Sequence, residues 1–276
     1  MDDGEAGNKV IVVEGVVKKY GNRVVLHNIY LDVVKGDKIV IIGPNGSGKT
    51  TLIKILLGLT TRNQGVVRVL GVDPKDKRFD GVRKRVGYMP EKTTLMWNEK
   101  VEEYLDFIAS IKGCHSYEDQ MELLGLAKYR DYRIKNLSQG YKRRTQLAAA
   151  LLCNPELLIL DEPYANIDLY TKLVIDDLLN SISKNTTMLM TTRIEPILNK
   201  YTAVIMMDGA ILGKISVEDT IQLILACGDE KVELGREDIE KVNSLIRQGC
   251  KLEDVAVNNI MNLLKKLRKH RVITTH

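Results

Sequence analysis

A short apolar run, Lys38-Ile39-Val40-Ile41-Ile42, passes directly into Gly43-Pro44-Asn45-Gly46-Ser47-Gly48-Lys49-Thr50 and then into a helical stretch over 51–57. Nothing else in the chain restricts the fold as strongly. The run is short and β-branched, as a buried parallel strand is. The segment after it fits G-x-x-x-x-G-K-[ST], a loop whose backbone N–H groups gather around phosphate oxygens. Gly46 and Gly48 let the backbone curl inward, and the helix that follows turns its positive end to the same point. Lys49 adds a point charge, and Thr50 a hydroxyl suited to magnesium. A strand, this loop and a helix together dictate a phosphate site at the end of a parallel sheet.

A second apolar run, 157–160, ends in Asp161 and Glu162. Side chains alternate along a strand, so these carboxylates leave it in different directions. Beside a phosphate loop, Asp161 is placed to hold magnesium. Glu162 is placed to act as general base on an attacking water.

The remaining sequence frames these two segments. Residues 10–17 and 24–33 read as strands, the second with Leu26, Asn28, Tyr30 and Asp32 on one side, and 66–70 reads as another. The middle is helical: Val101, Tyr104, Leu105, Ile108 and Ile111 share one face of an amphipathic helix, and 138–152 reads as a second. Strands return at 157–160, 187–191 and 203–207, with a helix over 170–182. That alternation argues for an α/β parallel sheet. From Ser216 onward the reading is helical again. Leu252, Val255, Ile260, Leu263, Leu264 and Leu267 mark an amphipathic pattern over 251–268, and Lys265–Arg271 forms a basic cluster. That cluster is either a solvated helix end or a contact for anionic headgroups or a partner subunit.

Composition narrows the class. A net charge of +5 over 276 residues is too dilute for a nucleic-acid binder, so no nucleic acid is expected. Cys114, Cys153, Cys227 and Cys250 form no C-x-x-C and read as free thiols in a reducing compartment. The polar, acidic start of the sequence does not read as a secretory signal. No stretch approaches the ~18 consecutive apolar residues of a membrane span, so a role at the membrane requires a partner.

The segment Asn136-Leu137-Ser138-Gln139-Gly140-Tyr141, opening a helix shortly before the acidic strand, resembles the L-S-G-G-Q signature of the ABC (ATP-binding cassette) ATPase family. Ser138 suits a helix N-cap, and with Gly140 it can offer hydroxyl, backbone N–H and helix dipole to an anion. The resemblance covers roughly residues 10–215. It implies a P-loop NTPase fold: a RecA-like parallel sheet core, an N-terminal antiparallel β-subdomain, and a helical subdomain inserted at about 90–153. On this reading residues 8–215 form the ATPase domain and 216–276 a small helical C-terminal extension. It also implies the cofactors ATP and Mg2+. Asn45, Gly46, Ser47, Gly48, Lys49, Thr50 and Thr51 would bind the nucleotide. Tyr20 would stack on adenine and Val25 would touch the nucleoside. Ser138 and Gly140 would bind the γ-phosphate of ATP held by a second ATPase subunit, homo- or heteromeric. Asp168, in Ala165-Asn166-Ile167-Asp168, would cross that interface. The implied partner is a transmembrane permease on a separate chain, with the protein peripheral to the cytoplasmic face of the membrane. A cytosolic member without a membrane partner and a slow nucleotide-binding regulator stand as alternatives.

Several positions depart from the family pattern. Gln139 and Tyr141 replace a Gly and a Gln of the signature. Glu91, in Gly87-Tyr88-Met89-Pro90-Glu91, stands where the family has a magnesium-sensing Gln, a form frequent among drug and sodium exporters. Arg193 stands where the family has its switch histidine; His27, His115, His270 and His276 lie elsewhere. An arginine binds phosphate well but does not shuttle protons near neutral pH, so slow hydrolysis is expected, with Lys49, Glu162 and Arg193 as the catalytic set and Thr50, Glu91 and Asp161 as the metal set.

Overall fold

The computed structural model describes residues 8–182, 186–193, 202–216, 221–228, 230–235, 241, 244–245 and 248–257. The chain divides into two compact units, residues 1–194 with 204–213 and residues 195–203 with 214–276.

The first unit opens with β1 (Lys9–Tyr20) and β2 (Arg23–Val34), two long antiparallel strands joined at Gly21-Asn22. Gly21 takes φ 56°, which suits glycine at the first central position of a two-residue hairpin turn. β4 (Gln64–Val69) pairs with the other edge of β1, giving the antiparallel order β2-β1-β4. Alternation within β2 is broken, which corrects the reading of its faces. Leu26 is buried, but beyond it the buried residues are Ile29, Leu31 and Val33, while Tyr30 is exposed. Asn28 sits at φ 54° beside a register shift, so the strand changes face there. Asparagine tolerates the left-handed region better than most residues.

The larger sheet has the order β5-β6-β7-β3-β8-β9. Its strands are β3 (Lys38–Ile42), β5 (Val86–Met89), β6 (Leu157–Asp161), β7 (Thr187–Thr192), β8 (Thr202–Met207) and β9 (Ala210–Ser216). β5, β6, β7 and β3 run parallel. Almost every side chain of β3, β6 and β7 is buried, which accounts for their continuous apolar sequences. Ile39, Ile41, Leu52, Leu56, Phe79, Leu157, Ile159 and Leu189 meet Ile11, Val13 and Leu26 in one core. β3 occupies the middle of this sheet, so its carboxyl end, where the loop begins, lies between the ends of β7 and β8.

Between β5 and β6 stand α3 (Val101–Lys112), α4 (Glu118–Leu123) and α5 (Gln139–Leu151), after α1 (Lys49–Leu56) and the short α2 (Phe79–Arg83). Val101, Tyr104, Leu105 and Ala109 carry the packed face of α3; Ile111 is exposed, since the stripe ends one turn earlier than its sequence pattern suggests. α6 (Leu169–Ser181) precedes β7.

Two further sequence expectations are corrected. Where an all-helical C-terminal extension was expected, the described residues are mostly strand: β10 (Ile221–Cys227), β11 (Glu230–Gly235) and β12 (Lys251–Val257) form an antiparallel sheet in the order β11-β10-β12, with Lys241, Ser244 and Leu245 helical. Leu252 and Val255 fit a helical spacing, yet Leu252 pairs with Leu225 and Val255 with Leu223 across the sheet. Cross-strand partners decide such short, ambiguous segments. Ile260, Leu263, Leu264, Leu267 and the basic cluster lie outside the described residues. The cysteines are also not free thiols: Cys114 bonds Cys153 and Cys227 bonds Cys250. The first pair joins the residues just beyond α3 and α5, 39 positions apart, a proximity that spacing along the chain does not reveal.

Candidate functional site

Two close approaches fix the path of the loop between β3 and α1. A Cβ on Gly43 would lie 2.0 Å from the carbonyl oxygen of Met206, so no larger residue fits under β8. Gly48 takes φ 102° as the N-cap of α1, against the side chain of Leu26. Gly209, in the turn after β8, donates its N–H to the Ser47 carbonyl at 3.0 Å. The loop is thereby clamped from below and opens into a cavity of about 420 Å³.

Tyr20, Val25, Asn45, Gly46, Ser47, Gly48, Lys49, Thr50 and Thr51 all line that cavity, with Glu91, Glu162 and Arg193. Tyr20 is half exposed at the end of β1, with the Lys18 ammonium 4.5 Å from its ring centre. Lys49 is buried and donates to the carbonyls of Gly43 at 2.6 Å and Pro44 at 3.2 Å, while its Nζ stands 3.4 Å from Glu162 Oε1. Thr50 donates its hydroxyl to Asp161 Oδ1 at 3.3 Å. Thr191, at the end of β7, donates to the same oxygen at 2.6 Å. The parallel register of β6 with β7 sets Asp161 opposite Thr191 and makes that bond.

Glu162 leaves the strand in a left-handed conformation, φ 49°. A non-glycine residue held there costs on the order of 1–3 kcal/mol. Four contacts hold its backbone. Its N–H donates to the Thr191 carbonyl at 3.2 Å and to Thr191 Oγ1 at 3.1 Å, and its carbonyl accepts from Arg143 at 2.6 Å and from the Ala165 N–H at 3.1 Å. The side chain then points back at Lys49. Burial pushes its carboxyl above the ordinary glutamate range, with Lys49 and Arg193 pulling the other way.

Glu91 and Arg193 meet. Arg193 Nη2 lies 2.8 Å from Glu91 Oε1, its backbone N–H donates to Glu162 Oε2 at 3.2 Å, and its Nε stands 3.8 Å from Glu162 Oε1. Two of the departures from the family pattern, Glu91 and Arg193, therefore line the cavity together and pair with each other.

Ser138, Gly140 and Asp168 line no part of this cavity. Ser138 is exposed and caps α5, accepting from the Tyr141 N–H at 3.4 Å. Asp168 caps α6 through the Thr171 N–H and hydroxyl, both at 2.9 Å. A Cβ on Gly140 would stand 2.8 Å from Thr171 Oγ1, so the starts of α5 and α6 pack together and leave room only for glycine. Thr191, Arg143 and Arg23 are site residues that motif reasoning passed over. Thr191 had one signal, a hydroxyl at the exit of an apolar strand; Arg143 reads as one charge in the cationic run Lys142-Arg143-Arg144.

Thr50, Asp161 and Glu91 are hard oxygen donors, a set that suits Mg2+ rather than a soft metal. Among the described residues no three His, Cys, Asp or Glu side chains gather as a cage. That accords with a cation held by one or two carboxylates together with phosphate and water.

The ABC transporter family model matches residues 26–165. The Nod factor export ATP-binding protein I of Rhizobium meliloti (strain 1021) is 35% identical over 191 residues, 67% of this chain and 57% of that protein. The chain thus spans little more than half of that relative's length. An uncharacterized ABC transporter ATP-binding protein of Methanocaldococcus jannaschii is 30% identical over 68% of this chain and 70% of the relative. A solved ATP-binding subunit of an ABC transporter superimposes with TM-score 0.69 at 26% identity, over 76% of this chain and 91% of that one. A dimeric bacterial ABC transporter cassette, 23% identical with TM-score 0.67 over 75% of this chain and 98% of that one, shares the fold.

Proposed function

The chain belongs to the ABC transporter family, and from that premise we propose that it is an ATP-hydrolysing motor subunit that closes head to tail with a second copy or homologue around two Mg-ATP and drives a separate transmembrane exporter chain. The observation that carries this reading is the convergence of Lys49, Thr50, Asp161 and Glu162, with Glu162 Oε1 3.4 Å from Lys49 Nζ and Asp161 Oδ1 3.3 Å from Thr50 Oγ1.

In this reading Tyr20 stacks on adenine and Val25 touches the nucleoside. The N–H groups of the loop from Asn45 to Thr51 and the Lys49 ammonium hold the phosphates, Lys49 exchanging its bonds to Gly43 and Pro44 for them. Thr50 and Asp161 hold Mg2+, with Glu91 beside them. The cation supplies charge neutralisation at the phosphate oxygens. Glu162 orients the attacking water and accepts its proton; its raised proton affinity strengthens it as a base. Arg193 offers a fixed positive charge to the terminal phosphate and shuttles no proton, so turnover is slow. Ser138, Gly140 and Asp168, away from the chain's own cavity, serve nucleotide held by the second subunit, which explains two half-sites on one chain.

No helix among the described residues is long and apolar enough to cross a membrane. In this reading the motor docks on a separate spanning chain and lies peripheral to the cytoplasmic face. Relatives that export Nod factor or handle multiple drugs support the exporter class. Residues 8–215 are the motor in this reading, and 216–276 an appended unit.

The reading is tested with Glu162→Gln, measuring molar mass by light scattering with and without magnesium-ATP. A dimer formed only with nucleotide is expected. A chain that binds ATP and stays monomeric would overturn the head-to-tail arrangement. Separately, Arg193→His should raise the hydrolysis rate, and an unchanged or lower rate would refute the role given to Arg193.

A further inference from the structure

Arg143 lies five residues beyond Ser138, on the second turn of α5, and is 3% exposed. Among the described residues it forms no ion pair within contact distance. Its Nη2 donates to the Glu162 carbonyl at 2.6 Å, and its Nη1 donates to the Pro90 carbonyl at 3.0 Å and to Gln146 Oε1 at 3.2 Å. Gln146, one turn along α5, donates through Nε2 to the Lys92 carbonyl at 3.1 Å. One helix therefore grips the segment on both sides of Glu91 and, through the same guanidinium, the backbone of Glu162.

Burial works against the charge of Arg143, and only the carboxylates of Glu91, Asp161 and Glu162 sustain it from a distance. A buried cation is costly unless its bonds are needed. Its Nε finds no partner among the described residues, a further cost. A neutral side chain could tether the helix to one carbonyl. The planar fork of arginine instead spans two carbonyls that belong to different loops.

Glu162 sits in a left-handed conformation that its surroundings must impose. Thr191 restrains it from the amide side, and Arg143, together with the Ala165 N–H at 3.1 Å, restrains it from the carbonyl side. We infer that Arg143 is a positioning residue for hydrolysis: it fixes the Glu162 and Pro90 carbonyls to α5, so that the carboxylates of Glu162 and Glu91 are aimed by the helix that Ser138 opens. Any displacement of that helix, such as a second subunit's nucleotide at its N-terminus would cause, reaches both carboxylates through one side chain. This rests on Glu162 being the general base.

The test compares Arg143→Met and Arg143→Lys with the unaltered chain in kcat and KM for ATP, affinity for a fluorescent ATP analogue, and amide exchange at Arg193, whose N–H donates to Glu162 Oε2. Misplacing a base by about 1 Å costs roughly 100-fold in rate. Arg143→Met should lose about that much kcat while KM and analogue affinity stay within about threefold, and the Arg193 amide should exchange faster. Arg143→Lys reaches one carbonyl instead of two and should recover about tenfold of the loss. Should Arg143→Met not fold, Arg143→Lys alone decides: a lowered kcat at constant KM supports the inference. An unchanged kcat, or kcat and analogue affinity falling together, overturns it. Glu162→Gln, run in parallel, separates the two claims. If it retains hydrolysis, the base assignment fails; if it abolishes hydrolysis while the Arg143 variants stay fully active, only the positioning role fails.

Discussion

Replacing Thr191 by Val isolates one hydrogen bond at the centre of the site. Thr191 and Asp161 are 0% and 1% exposed, and the threonine hydroxyl donates to Asp161 Oδ1 at 2.6 Å. Val has nearly the same shape and the same β-branching, so the strand preference of β7 is unchanged. The Glu162 N–H loses Thr191 Oγ1 as an acceptor but keeps the Thr191 carbonyl at 3.2 Å, so it is not orphaned. What is lost is a bond to a buried carboxylate, worth about 1.5–3 kcal/mol. Asp161 keeps Thr50 at 3.3 Å, a longer and weaker contact. A loss of about 2 kcal/mol is therefore expected. In urea unfolding, with a slope of roughly 2 kcal/mol/M, the midpoint should fall by about 1 M and the slope should not change. In an Asp161→Asn background the same change removes only a neutral bond, worth about 1 kcal/mol. Equal losses in both backgrounds, or no loss in either, would refute the assignment of this bond to a charged partner.

Glu162 gives a pH prediction. Its proton affinity is raised in the folded chain, first by burial. The acid limb of the kcat profile should then lie above the ordinary glutamate value of about 4.3, and a limb at that value would contradict the environment described. By the same sign, the folded chain holds a proton that the unfolded chain releases, so stability is lost as pH rises through this interval; Glu162→Gln should raise the melting temperature of the nucleotide-free protein at neutral pH. Lys112 behaves oppositely. Its ammonium is partly buried against the carbonyls of Ala150 and Leu152 at 3.4 and 2.9 Å, and that desolvation lowers its pKa from 10.5 to about 8. The unfolded chain binds the extra proton between these values, so stability should rise with pH from about 8 to 10.5, and Lys112→Met should flatten that rise. Replacing Cys114 and Cys153 by Ser opens a loop closed across 39 positions and should cost roughly 4 kcal/mol under oxidising conditions and nothing under reducing ones; a full complement of reactive thiols in the unaltered, native chain would refute that pairing.

Local sequence fixed the elements whose chemistry is local. The phosphate loop needs glycine where the backbone curls and a strand and a helix on either side, and all of these are consecutive residues. The same holds for Asp161 and Glu162 at the end of an apolar strand and for Ser138 as a cap. The inserted helices were legible for a related reason: periodicity over ten or more residues outweighs the choice of any one; the antiparallel start of the chain was legible only through the family resemblance. Short segments with a mixed pattern were not legible. Leu252 and Val255 fit helix and strand alike until their partners in β10 chose for them, and β2 changed face at a single asparagine. What only the tertiary structure decided are relations between residues distant in the chain. These are Thr191 against Asp161 through strand register, Arg193 against Glu91, Arg143 between two carbonyls, and the Cys114–Cys153 bond. Each depends on distances that sequence spacing does not encode, because a parallel sheet joins neighbours separated by whole crossovers.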